Sequence, residues 1–246
     1  MSKKTILVTG ASSGIGRATC VYLASQGYRI VALARNEERL KELSQQLGSD
    51  DIYIPYDLLE LEKIEDVFKT CKEQGIKLDG LVHCAGINNS VPIRANDVEA
   101  MQRVTTVNYF AFVELGKYFS KKKYSSDGAS IVAVSSIAAL SCERGMCTYA
   151  SSKAALNAAV KVMSKEFIPR GIRVNALLPA FVDTGMSGKF ISGVYDLDEK
   201  VEKSMPFGII PPEQIAYYAE FLLSDRSSYI TGALLPISGA YTQLME

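Results

Sequence analysis

Tyr149 and Lys153 are the two residues whose types and spacing most directly suggest chemistry. They stand four positions apart in residues 136–153, which lead into an alanine-rich run of helical character. On a helix, residues at i and i+4 lie on one face, about 5–6 Å apart at Cβ. A nearby ammonium group favours phenolate and lowers a tyrosine pKa from its usual value of about 10. We therefore expect Tyr149 to exchange a proton with a substrate, although a surface Tyr and Lys on an amphipathic helix would show the same spacing.

A glycine-rich loop follows the first predicted strand. Residues 5–9 form a continuous apolar run closed by Gly10, and Gly14 and Gly16 precede a helical pattern that continues to about Gln26. Such runs are typical of strands buried in a parallel sheet. Glycine lets the backbone approach a ligand closely, and a helix N-terminus offers N–H groups and a partial positive charge to a diphosphate. The context favours a dinucleotide-binding loop over a plain tight turn.

Strand-like and helix-like segments alternate along the whole chain. We predict strands at residues 5–9, 29–34, 52–56, 81–84, 130–135, 172–178 and 233–237. Helices are predicted between them, including a long one at residues 97–121, one that carries Tyr149 and Lys153, and a last one from Pro212. This alternation predicts one α/β domain over residues 1–246, a doubly wound parallel sheet of seven strands with helices on both faces. Residues 179–211 lack clear periodicity, and we predict a substrate loop at about 185–211.

Composition limits the possible partners. Apolar residues make up 48% of the chain, charged residues 22%, and the formal net charge is zero, which argues against nucleic acid or a charged membrane surface. The five cysteines form no C-x-x-C and there is one histidine, so we expect no metal site. No apolar stretch approaches the roughly 20 residues of a membrane span, and no signal-like leader precedes the first strand. We therefore expect a cytoplasmic protein with reduced thiols.

Several motifs follow one another in a specific order. They are Thr9-Gly10-x-x-x-Gly14-x-Gly16, Asn108 in Thr-Val-Asn, Ser136 thirteen residues before Tyr149 and Lys153, residues 179–186 (PAFVDTGM), and residues 230–232 (ITG). Together they resemble the classical short-chain dehydrogenase/reductase family over essentially the whole chain. The resemblance implies a Rossmann fold and catalytic roles for Ser136, Tyr149, Lys153 and Asn108.

The resemblance also implies a set of cofactor-binding residues. They are Gly10, Ser12, Ser13, Gly14, Ile15, Gly16, Arg35, Asp57, Leu58, Cys84, Ala85, Gly86, Tyr149, Lys153, Pro179, Val182 and Thr184. Three motifs depart from the family pattern. The family's N-N-A-G is His83-Cys84-Ala85-Gly86 here, Ala180 replaces a glycine, and residues 238–240 (SGA) replace D-G-G. We expect His83 to replace one of the bonds that the family's asparagines make to the sheet.

The end of the second strand bears on the choice of cofactor. An acidic residue at that point binds the ribose 2′-hydroxyl of NAD, whereas an arginine accommodates the 2′-phosphate of NADP. Ala34 stands at the usually acidic position and Arg35 follows it. A guanidinium can hold phosphate through two parallel hydrogen bonds. We therefore predict NADP(H) rather than NAD, the alternative being that Arg35 is a solvated loop residue.

The resulting prediction is an oxidoreductase that moves hydride between NADP(H) and a ketone or secondary alcohol without a metal. The resemblance implies that Tyr149 gives or takes the proton, Ser136 binds the carbonyl oxygen, Lys153 holds the ribose hydroxyls, and Asn108 serves the proton relay. Two alternatives stay open. The chain could bind the cofactor as a regulator without turnover, or it could catalyse epimerase or dehydratase chemistry.

The substrate is expected to be a 3-oxoacyl thioester, a steroid or a small carbonyl compound. The predicted pocket is apolar, and it combines Asn88, Ala138, Leu140 and Met146 with Phe190, Ile191, Val194, Tyr195 and Leu197 of the substrate loop. No arginine lies in residues 179–211, so the sequence shows no dedicated carboxylate clamp.

Two predicted helices carry apolar or small residues suited to contact with a second copy of the chain. These residues are Val104, Val107, Phe112 and Leu115 in residues 97–121, and Ala150, Ala154, Ala155, Ala158 and Val162 in residues 149–167. Part of this surface must face the sheet. The family resemblance implies that these helices pair with their copies, so we expect a homodimer or a homotetramer.

Overall fold

Seven parallel strands form the centre of the computed structural model, which describes residues 3–185 and 204–240. The strands are β1 (Thr5–Thr9), β2 (Arg29–Ala34), β3 (Ile52–Pro55), β4 (Leu78–His83), β5 (Ser125–Val134), β6 (Arg173–Pro179) and β7 (Leu234–Ile237). Their order in the sheet is β3-β2-β1-β4-β5-β6-β7, and every neighbouring pair is parallel. The predicted doubly wound α/β fold is confirmed.

Helices cover the sheet between the strands. They are α1 (Gly14–Ser25), α2 (Glu37–Ser44), α3 (Ile64–Glu73), α4 (Val98–Thr105), α5 (Ala111–Phe119), α6 (Ala138–Ser141), α7 (Cys147–Glu166) and α8 (Pro212–Leu223). Asn36 and Asp97 cap α2 and α4, because their side-chain oxygens accept backbone N–H groups at 2.9 and 2.7 Å. Among the described residues, no helix has the length and apolarity that crossing a membrane requires.

The core lies in two layers, one on each face of the sheet. On one face α3, α5 and α7 bury residues such as Phe68, Phe112 and Leu156. On the other face α1, α2 and α8 bury residues such as Leu23 and Leu40. Successive residues of a strand point to opposite faces, so a central strand must be apolar throughout. This is the physical basis of the continuous apolar runs in the sequence.

The strand order reverses between β1 and β4. From β1 the chain continues to β2 and β3 on one side, whereas β4 and the later strands lie on the other side. Thr9 and His83 are paired at the ends of these two strands. In doubly wound sheets the crevice at such a reversal is where ligands bind. We therefore expect the functional residues at the carboxyl ends of β1, β4, β5 and β6.

Some predicted boundaries were wrong. The strand predicted at residues 81–84 begins at Leu78, and the one predicted at 130–135 begins at Ser125, because polar and glycine-containing residues extend these strands beyond their apolar centres. The helix predicted at 97–121 is interrupted by a π-helical turn, Thr106–Phe110, between α4 and α5. Residues 186–203 lie outside the described residues. This range includes five residues of the predicted substrate loop: Phe190, Ile191, Val194, Tyr195 and Leu197.

The helix faces expected to meet a second copy are partly occupied within the chain. The residues buried in this chain's own core are Val104, Val107, Phe112, Leu115 and Ala150. Because they are buried within the chain, they are unavailable to a partner, and Phe112 and Leu115 belong to the core on one face of the sheet. Ala154, Ala158 and Val162 of α7 remain exposed, and so does Phe110 in the π-helical turn.

Candidate active site

The glycine loop brings β1 and β4 into close backbone contact. Gly10 and Gly14 have positive φ angles of +68° and +50°, a region that favours glycine. A Cβ atom on Gly10 would lie 2.8 Å from the backbone nitrogen of Ala85. A Cβ atom on Gly16 would lie 2.2 Å from the carbonyl oxygen of Gly10. Both glycines are therefore required by the tight approach between this loop and its surroundings.

The N-terminus of α1 opens onto the same loop. Ser13 is the N-cap residue, but its side chain makes no capping hydrogen bond, and the first turn contains no acidic residue. The first N–H groups of a helix have no partner within it, so this end of α1 is suited to an anion. A pocket of about 650 Å³ beside it is lined by Gly14, Arg17, Thr184 and neighbouring residues. The structure thus places Thr184 beside the glycine loop.

Tyr149 and Lys153 lie together on α7, as the spacing predicts. The Lys153 Nζ atom is 5.8 Å from the centre of the Tyr149 ring and donates a hydrogen bond of 2.8 Å to the carbonyl oxygen of Val134, the last residue of β5. The hydroxyl of Ser136 is hydrogen-bonded to the Tyr149 phenol and accepts the backbone N–H of Ala138 at 3.1 Å. The end of β5 and the first turns of α7 therefore bring the three side chains into one site.

Burial dominates the electrostatics of this pair. Desolvation raises the pKa of Tyr149, and the hydrogen bond from Ser136 offsets only part of that rise. Burial also lowers the pKa of Lys153 from 10.5 to about 8. The expected lowering of the tyrosine pKa is therefore wrong for the protein alone, because burial of the phenol raises the pKa more than the Ser136 hydroxyl lowers it. At neutral pH the phenol keeps its proton, as a general acid must.

Asn108 ties the loop after β4 to α7. It lies in the π-helical turn and is fully buried. Its Oδ1 accepts the backbone N–H of Ile87 at 2.8 Å, and its Nδ2 donates to the carbonyl of Ile87 and to the Ser152 hydroxyl, both at 3.0 Å. Ser152 in turn donates to the carbonyl of Tyr149 at 2.7 Å. Single-turn π-helices are frequent at functional sites, and this one aims Asn108 at the helix that carries the tyrosine.

Gly86 makes the close approach at the end of β4 possible. A Cβ atom there would lie 3.3 Å from Lys153 Nζ and 3.4 Å from Asn108 Oδ1. Ala85 donates its N–H to the Thr9 hydroxyl at 3.2 Å, which fixes this segment to β1. Cys84 lies beside them, and burial raises the pKa of its thiol to about 12. The Ala85-Gly86 backbone thus reaches the site despite the His83-Cys84 departure before it.

Arg35 lies at the carboxyl end of β2 with its side chain about half exposed. Its Nη1 atom is 3.9 Å from a carboxylate oxygen of Asp57, which follows β3. The other oxygen of Asp57 accepts the N–H of Leu59 at 3.0 Å. Leu58 packs into the core, so its side chain does not face this edge. Arg35 and Asp57 therefore lie at the ends of β2 and β3, on the same edge of the sheet as Gly10 at the end of β1.

Other predicted site residues lie at the end of β6, in α6 and just before α7. Pro179 ends β6, and its carbonyl accepts the N–H of Ile137 at 2.9 Å; Val182, three residues later, is buried. In the predicted substrate pocket Ala138 is buried and Leu140 is exposed, while the Ser90 hydroxyl lies 2.9 Å from the Met146 sulfur.

Two groups of hydrogen bonds in the site are not predicted by the sequence. The hydrogen bonds of Ser152 and Ile87 to Asn108 join residues far apart in the chain. The bond from the Val91 N–H to the Gly145 carbonyl, at 3.0 Å, joins the loop after β4 to the loop before α7. No periodicity or motif marks these residues. Among residues 3–185 and 204–240, no group of three or more His, Cys, Asp or Glu is placed to hold a metal ion.

Known proteins of similar sequence and structure can now be compared with this site. The family model described as Enoyl-(Acyl carrier protein) reductase matches residues 10–242. The chain belongs to the short-chain dehydrogenase/reductase family. Carbonyl reductase family member 4 of Danio rerio is 32% identical over 241 residues, which are 97% of this chain and 98% of that protein. The 3-oxoacyl-(acyl-carrier-protein) reductase FabG of Rickettsia prowazekii (strain Madrid E) is 33% identical over 245 residues, 97% of each chain.

Solved structures of the short-chain dehydrogenase/reductase family share the fold of this chain. A short-chain type dehydrogenase/reductase from Mycobacterium ulcerans superposes with a TM-score of 0.90 at 28% identity, over 98% of this chain and 91% of that one. The predicted family is thereby confirmed. As a member, the chain is an oxidoreductase of a family that uses nicotinamide cofactors.

Proposed function

We propose that this short-chain dehydrogenase/reductase transfers hydride between NADP(H) and a ketone or secondary alcohol, with Tyr149 as general acid/base and no metal. The observation that carries the proposal is the arrangement of four side chains at the carboxyl end of β5 and the start of α7. Ser136, Tyr149 and Lys153 share one site, and Asn108 is bonded to the helix that carries two of them. The glycine loop lies at the other side of the same strand ends.

The residues present fit a nicotinamide dinucleotide. The glycine loop leaves no room for a Cβ atom at Gly10 or Gly16, and the first turn of α1 offers N–H groups to a diphosphate. Lys153 uses one of its three N–H groups on Val134, so others remain for ribose hydroxyls. When bound, the cofactor would supply hydride to a carbonyl carbon. Arg35 supports NADP(H), because its exposed guanidinium can pair with a 2′-phosphate.

The proton is supplied by the side chains of the chain itself. In the reducing direction Tyr149 donates its phenolic proton to the oxygen of the carbonyl group as negative charge develops there. The Ser136 hydroxyl donates a hydrogen bond to the same oxygen and helps to orient it. The Lys153 ammonium stabilises the resulting phenolate, because its buried charge then has a partner of opposite sign. Asn108 links α7 to the loop after β4 through its hydrogen bonds. In this position it serves the relay that returns a proton to Tyr149.

The proposed substrates are 3-oxoacyl thioesters, steroids or small carbonyl compounds. Ala138, Leu140 and Met146, which belong to the predicted pocket, are apolar, and this supports substrates of low polarity. The names of the similar proteins point in the same direction, since one is a carbonyl reductase and another a 3-oxoacyl-(acyl-carrier-protein) reductase. A panel of these three substrate classes with NADPH distinguishes them.

We further propose that the protein forms a homodimer or homotetramer through α7 and the neighbouring π-helical turn. Phe110 is 45% exposed and Val162 is 53% exposed, which is unusual for large apolar side chains on adjacent helices. Ala154 and Ala158 on α7 are exposed and small, so a second helix could approach closely. Two-fold contacts of this kind are the commonest form of association.

Tyr149→Phe tests the proposed mechanism, because it keeps the ring and removes the proton donor. We expect turnover to fall by about 100-fold or more, the scale of a lost general acid, while NADPH affinity measured by fluorescence stays near that of the native protein. Tyr218→Phe is the matched control, since Tyr218 is exposed on α8. Near-native turnover of Tyr149→Phe would refute the mechanism. Binding of NADPH without turnover on any substrate class would instead support a regulatory protein.

A further inference from the structure

Two asparagines flank helix α4, and both contact the first turns of α7. Asn96 lies two residues before α4, and Asn108 lies three residues after it, in the π-helical turn. Asn108 donates from its Nδ2 to the hydroxyl of Ser152 at 3.0 Å. On the other side of α4, Asn96 accepts the hydroxyl of Thr148 on its Oδ1 at 3.2 Å. Thr148 and Ser152 are four positions apart, so they lie on one face of α7, with Tyr149 between them in the chain.

The start of α7 has no cap of its own. Its N-cap residue is Met146, whose side chain makes no capping hydrogen bond, and its first turn contains no acidic residue. The first N–H groups of a helix have no partner within the helix, and helix ends fray when nothing else holds them. Tyr149 is the third residue of α7, so its position depends on support that comes from outside the helix.

The segment between β4 and α4 supplies this support. The Val91 N–H donates to the carbonyl of Gly145 at 3.0 Å, and the Ser90 hydroxyl lies 2.9 Å from the Met146 sulfur. These two contacts hold the residues that precede α7. The hydrogen bond between Asn96 and Thr148 extends the same support into α7 itself, one residue before the tyrosine.

The carboxamide of Asn96 has one orientation that suits both of its neighbours. Its Oδ1 accepts the Thr148 hydroxyl and also the Nδ2 of Asn89, the latter at 3.4 Å. Rotation of the carboxamide by 180° would place the amide nitrogens of Asn89 and Asn96 against each other, and both are donors. The Nδ2 of Asn96 is buried and makes no hydrogen bond within the described part of the chain. Asn96 therefore serves α7 as an acceptor, and the Thr148 hydroxyl is the donor.

Both anchored hydroxyls are shielded from water. Thr148 is 5% exposed and Ser152 is 2% exposed, so water does not readily replace an asparagine that is lost from either contact. A buried hydroxyl without its partner is unfavourable, and the structure around it shifts to find another. Because the two anchors are one helical turn apart, together they restrict the tilt of α7 at the turn that carries Tyr149.

We propose that Asn96 is a positioning residue, which accepts the Thr148 hydroxyl and thereby fixes the first turn of α7, so that the Tyr149 phenol stays hydrogen-bonded to Ser136. The proposal rests on the proposed role of Tyr149 in the reaction. Asn96 and Thr148 lie outside the sequence motifs that carry the family resemblance, and their contact joins residues far apart in the chain.

Hydrogen exchange of the cofactor-free protein tests the anchor without any assay of activity. The Ala150 N–H donates to the Met146 carbonyl at 2.7 Å, so its exchange with deuterium reports opening of the first turn of α7. Thr148→Val keeps the shape of the side chain and removes the hydroxyl. In this variant we expect peptides that cover residues 147–153 to exchange about tenfold faster than in the native protein, the scale of one net hydrogen bond.

Thr70→Val is the matched control for hydrogen exchange. The Thr70 hydroxyl donates to the Asp66 carbonyl at 2.9 Å within α3, so its removal should leave exchange in α7 at the native rate. Native exchange of α7 in Thr148→Val, or equal acceleration in the control, would overturn the proposal. This readout stands even if Tyr149→Phe disproves the proposed reaction.

Turnover separates the hydroxyl of Thr148 from its bulk. We expect kcat of Thr148→Val to fall about tenfold, because a displaced phenol is less often in reach of the substrate oxygen. Thr148→Ser keeps the hydroxyl, and its kcat should stay within about threefold of native. The Kd for NADPH should change little in both variants, since Lys153 keeps its hydrogen bond to Val134. Equal losses of kcat in the two variants would show that packing rather than the hydroxyl matters and would overturn the proposal.

A double-substitution cycle connects the effect to Asn96. If Asn96 acts through Thr148, then Thr148→Val should cost about tenfold in kcat in the native background and no more than about twofold in the Asn96→Ala background. The same loss in both backgrounds would show that the two residues act separately and would overturn the proposal. All rates are measured well below the Tm of each variant, so that the comparison concerns folded protein.

Discussion

Lys153 holds a buried positive charge, and its replacement should make the cost of that charge measurable. The side chain is 3% exposed, and burial lowers its pKa from 10.5 to about 8. At about 1.36 kcal/mol for each pH unit, this difference corresponds to about 3 kcal/mol of unfavourable free energy when the folded protein carries the charge. Lys153→Met keeps most of the side-chain volume and removes the charge.

The pH dependence isolates this term from the others. Between pH 8 and 10.5 the unfolded chain keeps the lysine proton and the folded chain releases it, so native stability rises with pH. From pH 7 to 9.5 we expect the native protein to gain about 2 kcal/mol in free energy of unfolding relative to Lys153→Met. The lost hydrogen bond to Val134 shifts the comparison by a constant amount, because a backbone carbonyl does not titrate.

Urea unfolding at pH 7.0 and 9.5 measures the difference. Lys161→Met is the matched control, because it removes one positive charge from an exposed position of the same helix. The stability difference between Lys153→Met and the native protein should depend on pH, and that of the control should be nearly constant. A difference for Lys153→Met that is the same at both pH values would refute the buried-charge reasoning, and so would an equal pH dependence in the control.

Three further predictions concern the cofactor, the loop and the assembly. Arg35→Ala should weaken NADPH binding roughly 10–100-fold and NADH binding little, as fluorescence titration would show; equal native affinities would contradict the NADP assignment. Gly16→Ala forces a Cβ atom within 2.2 Å of a backbone oxygen and should lower Tm strongly, whereas Gly48→Ala, 3.4 Å from its nearest neighbour, should not; similar Tm values would argue against the tight packing. Phe110→Glu combined with Val162→Glu should reduce the mass measured by light scattering to 26.8 kDa, the mass of one chain. A native protein that already has this mass would contradict the proposed assembly.

The sheet was predictable because burial on both faces leaves a direct trace in sequence. A central strand such as β1 must be apolar at every position, so its residues stand out as a continuous run. The ends of strands carry no such constraint. Ser125 and Leu78 begin strands whose first residues include polar side chains and glycine, so these residues fall outside the predicted strands. Strand centres can therefore be predicted from the sequence. Strand ends cannot, because they depend on neighbours that are distant in the chain.

The site was predictable in its residue types and not in its electrostatics. The spacing of Tyr149 and Lys153 places them on one face of α7, and the structure agrees. The sign of the tyrosine pKa shift was wrong, because it depends on how much protein covers the phenol, and spacing alone does not report burial. The π-helical turn at Asn108 was missed for a similar reason. It is a single turn of five residues, Thr106–Phe110, and it is defined by its backbone hydrogen bonds rather than by residue type.

The charges of Tyr149 and Lys153 before and after proton transfer determine which direction of the proposed reaction these two residues assist. Before proton transfer, Tyr149 is neutral and the Lys153 ammonium is buried, with no ion pair to a carboxylate among the described residues. After Tyr149 donates its proton, the phenolate and the ammonium form a pair within the same site. The free-energy cost of burying the lone cation is then largely relieved, because a buried charge is tolerated when it is paired. In the proposed mechanism, the sheet and α7 bury the Lys153 ammonium, and this burial lowers the stability of the folded protein. Proton donation to the carbonyl oxygen recovers that free energy, because the phenolate then pairs with the ammonium.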